Sequence, residues 1–159
     1  MEISRRTKIA VRDGDLLCIP VDDWFVAAKV LWVSQWYKNA MGIAVYARGF
    51  AAPVTALDAS PGYACLDMGG QEVTVVYPSI QNVTKTKIWT VIGHQPLDDA
   101  DKALRRHIIG GSLYEGDDEI RRPATGEDYG HYPSVMTAPA LVVLNLIRAA
   151  MDQFPMAGR

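Results

Sequence analysis

Several features that define other protein classes are scarce in this chain of 159 residues. It contains two cysteines, Cys18 and Cys65, and no CxxC pair. A disulfide framework or a zinc ribbon needs more. The 16 basic and 18 acidic residues give a net charge of −2, without the basic excess typical of nucleic-acid-binding proteins. The composition therefore argues against a disulfide scaffold and against a nucleic-acid partner.

Long apolar segments are also missing from the sequence. No window approaches the ~18 uninterrupted apolar residues that a membrane-spanning helix needs. The early arginines Arg5 and Arg6 are not followed by the apolar stretch of a signal peptide. A basic amphipathic helix of the kind that lies on membrane surfaces is absent as well. These features predict a cytoplasmic protein with no membrane partner.

Length and composition indicate one folded domain over residues 1–159. Hydrophobic residues make up 49% of the chain and charged residues 21%, which is ordinary for a soluble domain of this size. Its regions differ in character along the chain. We expect a polar arm over residues 1–12, a mainly β region over 13–97, mixed loops and short elements over 98–136, and a helix over 137–153.

Runs of β-branched and aromatic residues predict an antiparallel meander near the N-terminus. Residues 16–21 are expected to form a short buried strand that Pro20 ends, because proline cannot donate a ladder hydrogen bond. Residues 24–34 and 41–47 have the composition of the next two strands. The pattern of residues 24–34 alternates only in part, which suggests that both faces of this strand are covered.

Shorter elements are expected further along the chain. The pair Gly69-Gly70 predicts a hairpin turn between residues 63–67 and 72–77. Residues 86–92 are predicted to form another strand, and residues 98–107 one or two helical turns. Short strands at 113–114 and 120–121 would flank an acidic turn.

The C-terminal segment has a helical pattern. Thr137 is a candidate N-cap, and three polar residues, Asn145, Arg148 and Asp152, are spaced to share one helix face. The remaining wide apolar surface either packs on the sheet, which we favour, or forms a homodimer interface. The predicted fold class is α+β and β-dominated. It comprises a bent antiparallel sheet, SH3-like or barrel-like in its N-terminal half, with the C-terminal helix packed on it.

Motifs of familiar catalytic sites do not occur in the sequence. There is no P-loop, dinucleotide fingerprint or nucleophile elbow. The histidines His94, His107 and His131 lack the spacing of a local metal pair, and each is most simply a loop or helix-end residue. His94 or His131 would serve as a general base only beside a carboxylate. We expect no catalytic residue, no metal and no cofactor.

Two surface features are candidates for binding a partner. The acidic run over residues 115–119 does not fit a calcium-binding loop, so it is either a solvated turn or a contact for a basic partner. Trp36 and Tyr37 are the aromatic pair most expected to be exposed, and tryptophan is enriched at binding hot spots. The candidate partner-binding residues are Glu115, Asp117, Asp118, Glu119, Trp36 and Tyr37.

Three segments of the chain carry a family resemblance in the same order. Residues 13–23 resemble a "GD-x-F-x-I-P-L-x-D" opening, residues 87–97 a "W-x-x-I-G-x-x-P-L" segment, and residues 122–127 an "R-x-A-T-x-E-E" element. These are motifs of the immunity protein 26 family, bacterial proteins associated with polymorphic toxin systems. The motif residues are turn and core types, so they imply a shared fold more than a shared activity. They are Gly14, Asp15, Pro20, Trp89, Gly93 and Pro96.

The resemblance implies a non-enzymatic immunity protein. Such a protein binds a co-produced toxin domain in the cytoplasm and blocks its active site, and many of these toxins attack nucleic acids and are basic. The alternative that the family's labels imply is a small hydrolase of phosphotriester-type substrates. A binding module of unknown ligand, built on an SH3-like barrel, is the third hypothesis.

Overall fold

The structure is a computed structural model that describes residues 10–37, 39–57 and 61–157. The strands in these ranges are β1 (Asp15–Val21), β2 (Trp24–Val33), β3 (Met41–Phe50), β4 (Leu66–Met68), β5 (Gln71–Val73), β6 (Val75–Val76), β7 (Thr90–His94), β8 (Arg106–Ile109), β9 (Ser112–Glu115) and β10 (Asp118–Arg121). The helices are α1 (Gln81–Thr84), α2 (Asp99–Ala103), α3 (Gly126–His131) and α4 (Ala140–Ala149), and a 3-10 turn lies at Met151–Gln153. Most of the predicted polar arm, residues 1–9, lies outside the described residues.

A five-stranded antiparallel sheet with the order β6-β3-β2-β1-β7 forms the centre of the fold. Strands β1 and β2 are joined by a tight turn in which Asp22 has a φ of 51°. The central strand β2 is covered on both faces, as its sequence predicted. One face contributes Val26 and Val30 to the main core. The other face, which carries Leu31, lies under residues that include Leu97 and Leu104.

Two smaller sheets accompany the central one. Strands β8, β9 and β10 form a three-stranded antiparallel sheet, and β4 pairs with β5 across the Gly69-Gly70 turn. The predicted hairpin and the short strands around the acidic turn are therefore confirmed. The three-stranded sheet meets the central sheet where the ring of His107 packs 4.2 Å from the ring of Trp32, measured between centroids.

The C-terminal helix α4 packs on the sheet with Val143 and Ile147 in the main core. The helix begins at Ala140, after the N-cap residue Pro139, and not at Thr137 as predicted. Thr137 instead forms an isolated β-bridge with Tyr77, so the backbone is still extended at this residue, before the helix begins. The outer residues Leu141 and Val142 remain exposed, and a homodimer through this helix stays a prediction.

The structure confirms an α+β, β-dominated fold and corrects its details. The sheet is open and not a closed barrel, because β6 and β7 each pair with one strand of it and form its two edges. Strand β1 ends at Val21, as predicted, but Pro20 lies within its ladder with β2 and does not cause this end. The β7 ladder reaches only Cys18, so no strand on that side needs the N–H that proline lacks.

Two predicted elements in the middle of the chain have different bounds. The strand expected over residues 86–92 begins only at Thr90, because residues 81–84 form α1 and the buried Trp89 comes after it. The helix expected over 98–107 ends at Ala103, and Arg106 already belongs to β8. None of the helices in the described ranges combines the length and apolarity required to cross a membrane.

Candidate interaction surface

The acidic turn between β9 and β10 is joined to the end of β2 by one carboxylate. Asp117 Oδ1 accepts hydrogen bonds from Trp32 Nε1 at 3.1 Å and from Ser34 Oγ at 3.0 Å, and its Oδ2 accepts one from the backbone N–H of Gln35 at 2.9 Å. The sequence pattern predicted a partner contact for Asp117. In the structure it connects two elements that are distant in sequence, and its carboxylate is already engaged.

Ser34, which donates to Asp117, also binds the backbone of the candidate residues Trp36 and Tyr37. Its Oγ accepts hydrogen bonds from the backbone N–H of Trp36 at 3.2 Å and of Tyr37 at 2.8 Å. The turn over residues 34–37 is thereby held in one conformation, as expected for a serine that bonds its own local backbone. Asp117 and Ser34 together fix the position of Trp36 relative to the acidic turn.

Trp36 is the exposed tryptophan of the chain. It is 51% exposed, whereas Trp24, Trp32 and Trp89 are buried. Its ring lies 5.5 Å from the ring of Tyr37 and 5.5 Å from that of Tyr114 on β9, measured between centroids. Tyr37, predicted to be exposed with Trp36, is half-buried, as is Tyr114, so the two tyrosines hold the exposed Trp36 ring in a fixed orientation.

Glu119 completes this surface. It lies opposite Tyr114 in the β9–β10 ladder, and its Oε2 accepts a hydrogen bond from the Tyr114 hydroxyl at 3.3 Å. Partial burial and the neighbouring Glu119 raise the pKa of Tyr114 above its ordinary value, so the hydroxyl stays protonated and keeps donating. We call the group Trp36, Tyr37, Tyr114 and Glu119 the aromatic–acidic surface.

The remaining two candidate residues lie on the opposite face of the hairpin. Glu115 and Asp118 face each other in the ladder pair next to that of Tyr114 and Glu119, so they point the other way. Glu115 forms an ion pair with Arg106 at 3.5 Å. Asp118 lines a cleft of about 470 Å³ together with Arg12, among others. The structure therefore brings Trp36 and Tyr37 together with Glu119, but not with all four acidic residues.

The motif segments 13–23 and 87–97 are neighbours in the structure. His94 Nδ1 lies 3.0 Å from Oδ1 of the buried Asp15, and Gln95 N donates to the carbonyl oxygen of Gly14 at 2.9 Å. Gly14 has a φ of +92°, and a Cβ there would lie 2.6 Å from the Gln95 carbonyl oxygen. Only glycine fits this close approach without strain.

The other two histidines have different surroundings. His131 Nε2 is 3.8 Å from Glu127 Oε1, with both side chains largely exposed. His107 is buried, and its Nε2 lies 2.9 Å from the carbonyl oxygen of Gly116. Burial lowers the pKa of His107 to about 4. No group of three or more histidine, cysteine or acidic side chains that would suit a metal ion occurs within the described residues.

A buried charge pair escaped the sequence reasoning. Lys29 Nζ donates to Asp101 Oδ2 at 2.7 Å and to the carbonyl oxygen of Pro96 at 3.0 Å, and Tyr63 Oη donates to Asp101 Oδ1 at 2.6 Å. Burial opposes ionisation, but the bonds from Lys29, Tyr63 and the Asp98 backbone hold the pKa of Asp101 below its ordinary value. The sequence feature that could have indicated this pair is Lys29 itself, a lysine inside the apolar run of β2.

Comparisons with models of known protein families, with curated proteins and with solved structures find no match to this chain.

Proposed function

We propose that this chain is an immunity protein that binds a cognate bacterial toxin domain in the cytoplasm and neutralises it by blocking its active site. The observation that carries the proposal is the exposed Trp36, packed beside Tyr114 and next to Glu119. A half-exposed tryptophan held by two tyrosines is the kind of residue that dominates binding energy at protein interfaces. The family resemblance of the three motif segments points to the same function.

The mechanism that we propose is steric and electrostatic. A toxin that acts on nucleic acid carries a basic substrate path, and an acidic surface complements it and speeds the encounter. The aromatic rings supply a desolvated centre, and the carboxylate of Glu119 beside them remains at the polar rim. An interface of ordinary size buries roughly 1,600 Å² in total, an area that a domain of this size can provide.

The proposal expects a toxin domain to be encoded beside the gene for this chain, and that domain is the binding partner in the test. Replacing Trp36 by Ala should raise the Kd for that domain about thirtyfold, as loss of a hot-spot residue does. Leu141→Ala is the matched control, since Leu141 is also exposed, at 62% against 51% for Trp36, but lies on α4. Calorimetry gives the Kd, and growth of cells that co-express the toxin reports neutralisation.

Charge is tested separately from apolar contact. Glu119→Lys should weaken toxin binding and slow association, whereas Glu72→Lys, on the exposed β5, should leave both unchanged. If the neighbouring toxin domain forms no complex at micromolar concentration, or if the Trp36 and Glu119 variants bind it as tightly as the unmodified chain, the proposed function is wrong.

The contact between His94 and Asp15 favours a second candidate function, a phosphotriester hydrolase. With Nδ1–H donated to the buried carboxylate, Nε2 of His94 is free to take a proton from water. The water oxygen then forms a bond to phosphorus, and the leaving group departs with its electron pair. Under this candidate, the purified protein hydrolyses an activated phosphotriester, His94→Gln abolishes the activity and His131→Gln does not. Absence of hydrolysis by the unmodified chain would remove this candidate.

A further inference from the structure

We infer that the aromatic–acidic surface binds an arginine side chain of its partner, with the guanidinium stacked on Trp36 and hydrogen-bonded to Glu119. The inference rests on the proposed function for the source of that arginine, a toxin domain. It adds the chemical group that the surface recognises, and this group can be tested without the toxin.

Trp36 provides the face on which a cation can lie. Indole is the aromatic ring that attracts cations most strongly. Tyr37 and Tyr114 both pack on the Trp36 ring at 5.5 Å between centroids, yet half of the Trp36 side chain remains exposed. The two tyrosines therefore fix the orientation of the indole and leave part of it open to a ligand.

Glu119 supplies a carboxylate next to that ring. Its Oε2 accepts the Tyr114 hydroxyl, and its Oε1 accepts no hydrogen bond from any residue that the structure describes. Among the described residues, Arg106 pairs with Glu115 at 3.5 Å and Arg121 with Asp128 at 3.3 Å, whereas Arg122 acts on Tyr114 electrostatically but forms no ion pair with Glu119. The negative charge of Glu119 is thus available to an incoming cation.

Arginine fits this arrangement better than lysine. The planar guanidinium can stack on the indole and at the same time donate N–H groups sideways to a carboxylate, whereas an ammonium group is a compact charge with a stronger hydration shell. The arrangement is also organised before binding, because Asp117 and Ser34 hold the 34–37 turn through four hydrogen bonds. Binding therefore orders few side chains of this protein.

The test uses the full chain, labelled with ¹⁵N, and three short peptides that differ at one position. The peptides are capped glycine-serine peptides that carry no charge apart from their central residue, which is arginine, lysine or the neutral citrulline. We expect the arginine peptide to shift the indole N–H resonance of Trp36 saturably, with an affinity roughly tenfold higher than that of the citrulline peptide. The lysine peptide should fall between them. The variant Trp36→Leu assigns the resonance and should abolish the shifts around it.

Two variants at exposed positions separate recognition from general charge effects. Glu119→Gln keeps an acceptor for the Tyr114 hydroxyl but removes the charge. It should lower the affinity for the arginine peptide roughly tenfold. Glu72→Gln should leave its affinity unchanged. Equal binding of the arginine and citrulline peptides, equal binding of arginine and lysine, or an unaltered Glu119→Gln variant would each overturn the inference.

The outcomes also distinguish the inference from the proposed function. If the unmodified chain binds the toxin domain and the Trp36 variants do not, but the arginine peptide does not bind, the function stands and arginine recognition is wrong. If the arginine peptide binds as expected but no toxin domain does, arginine recognition stands and its assignment to toxin neutralisation is wrong.

Discussion

At the residue scale, Lys29 and Asp101 are the most unusual pair in the protein. Both are buried, and each has its charge compensated by further hydrogen bonds, from Tyr63 on one side and to the carbonyl oxygen of Pro96 on the other. The pair attaches helix α2, which contains Asp101, to the middle of β2. Removing a single partner leaves the other charge buried without compensation.

Lys29→Met is expected to lower the free energy of unfolding by about 3–5 kcal/mol. Adding Asp101→Asn to this variant should lower the free energy of unfolding by less than Asp101→Asn does alone, because the carboxylate that it removes has already lost its partner. The coupling energy between the two substitutions should exceed about 1 kcal/mol. Urea denaturation of the two single variants and the double variant measures this coupling. Strictly additive effects would mean that the two charges do not stabilise each other.

The contribution of this pair to the stability of the protein depends on pH. The pKa of Asp101 lies below its ordinary value in the folded protein, so its contribution to stability is present above the unfolded value of 3.8 and is lost as the pH falls through the folded value. Neutral buffers therefore retain the full contribution of the pair.

At the scale of elements, the turn of residues 34–37 and the acidic β9–β10 turn behave as one unit. Separate sequence signals, an aromatic pair and an acidic run, pointed to each of them. What joins them is the inward carboxylate of Asp117, which no local pattern distinguishes from Asp118 beside it. One of these neighbours holds the two turns together and the other is exposed.

Asp117→Ala is expected to destabilise the protein by about 2–3 kcal/mol, because three hydrogen bonds to its carboxylate are lost at about 1 kcal/mol each. Amide hydrogen exchange should speed up at residues 35–37. Asp118→Ala, at an exposed side chain, should change neither quantity by a measurable amount. Similar exchange rates in the two variants would show that Asp117 does not hold the turn.

At the scale of the whole molecule, the three-stranded sheet joins the central sheet through the aromatic contacts of His107. The His107 ring packs against Trp32 from β2 and against Tyr77, with centroids 4.2 and 5.7 Å away, and Nε2 donates to the Gly116 carbonyl. Burial and the charge of Arg105 disfavour protonation, and they outweigh the opposite effects of Gly116 and Asp117. The imidazole of His107 is therefore neutral where it packs between the two sheets.

His107 makes the stability of the protein depend on pH. Its pKa is about 4 when folded and 6.5 as its ordinary value, so the unfolded chain binds the proton more readily between these two. Stability from this group is full above pH 6.5 and falls as the pH drops towards 4, by about 3 kcal/mol in total. Urea denaturation at several pH values should show this slope in the unmodified chain and in His131→Gln. His107→Gln should lack it, and an unchanged slope there would assign the pH dependence to other groups.

Much of the fold could be predicted because its signals are local. The β-branched runs of β1 to β3, the Gly69-Gly70 turn and the apolar C-terminal segment each indicate a structure through a few consecutive residues. Helix and strand ends were less accurate, as at Thr137 and Thr90, because the end of an element depends on its cap and on the strand that pairs with it.

The sequence by itself determined the fold class, the main strands, the C-terminal helix and the residue types offered at the surface, since periodicity and turn chemistry act over short distances. The tertiary structure alone decided that Glu119 and not Glu115 lies beside Trp36, that Asp117 faces inward, and that His94 meets Asp15 and Lys29 meets Asp101. These arrangements depend on strand order and register between distant segments, and no window of neighbouring residues contains that information.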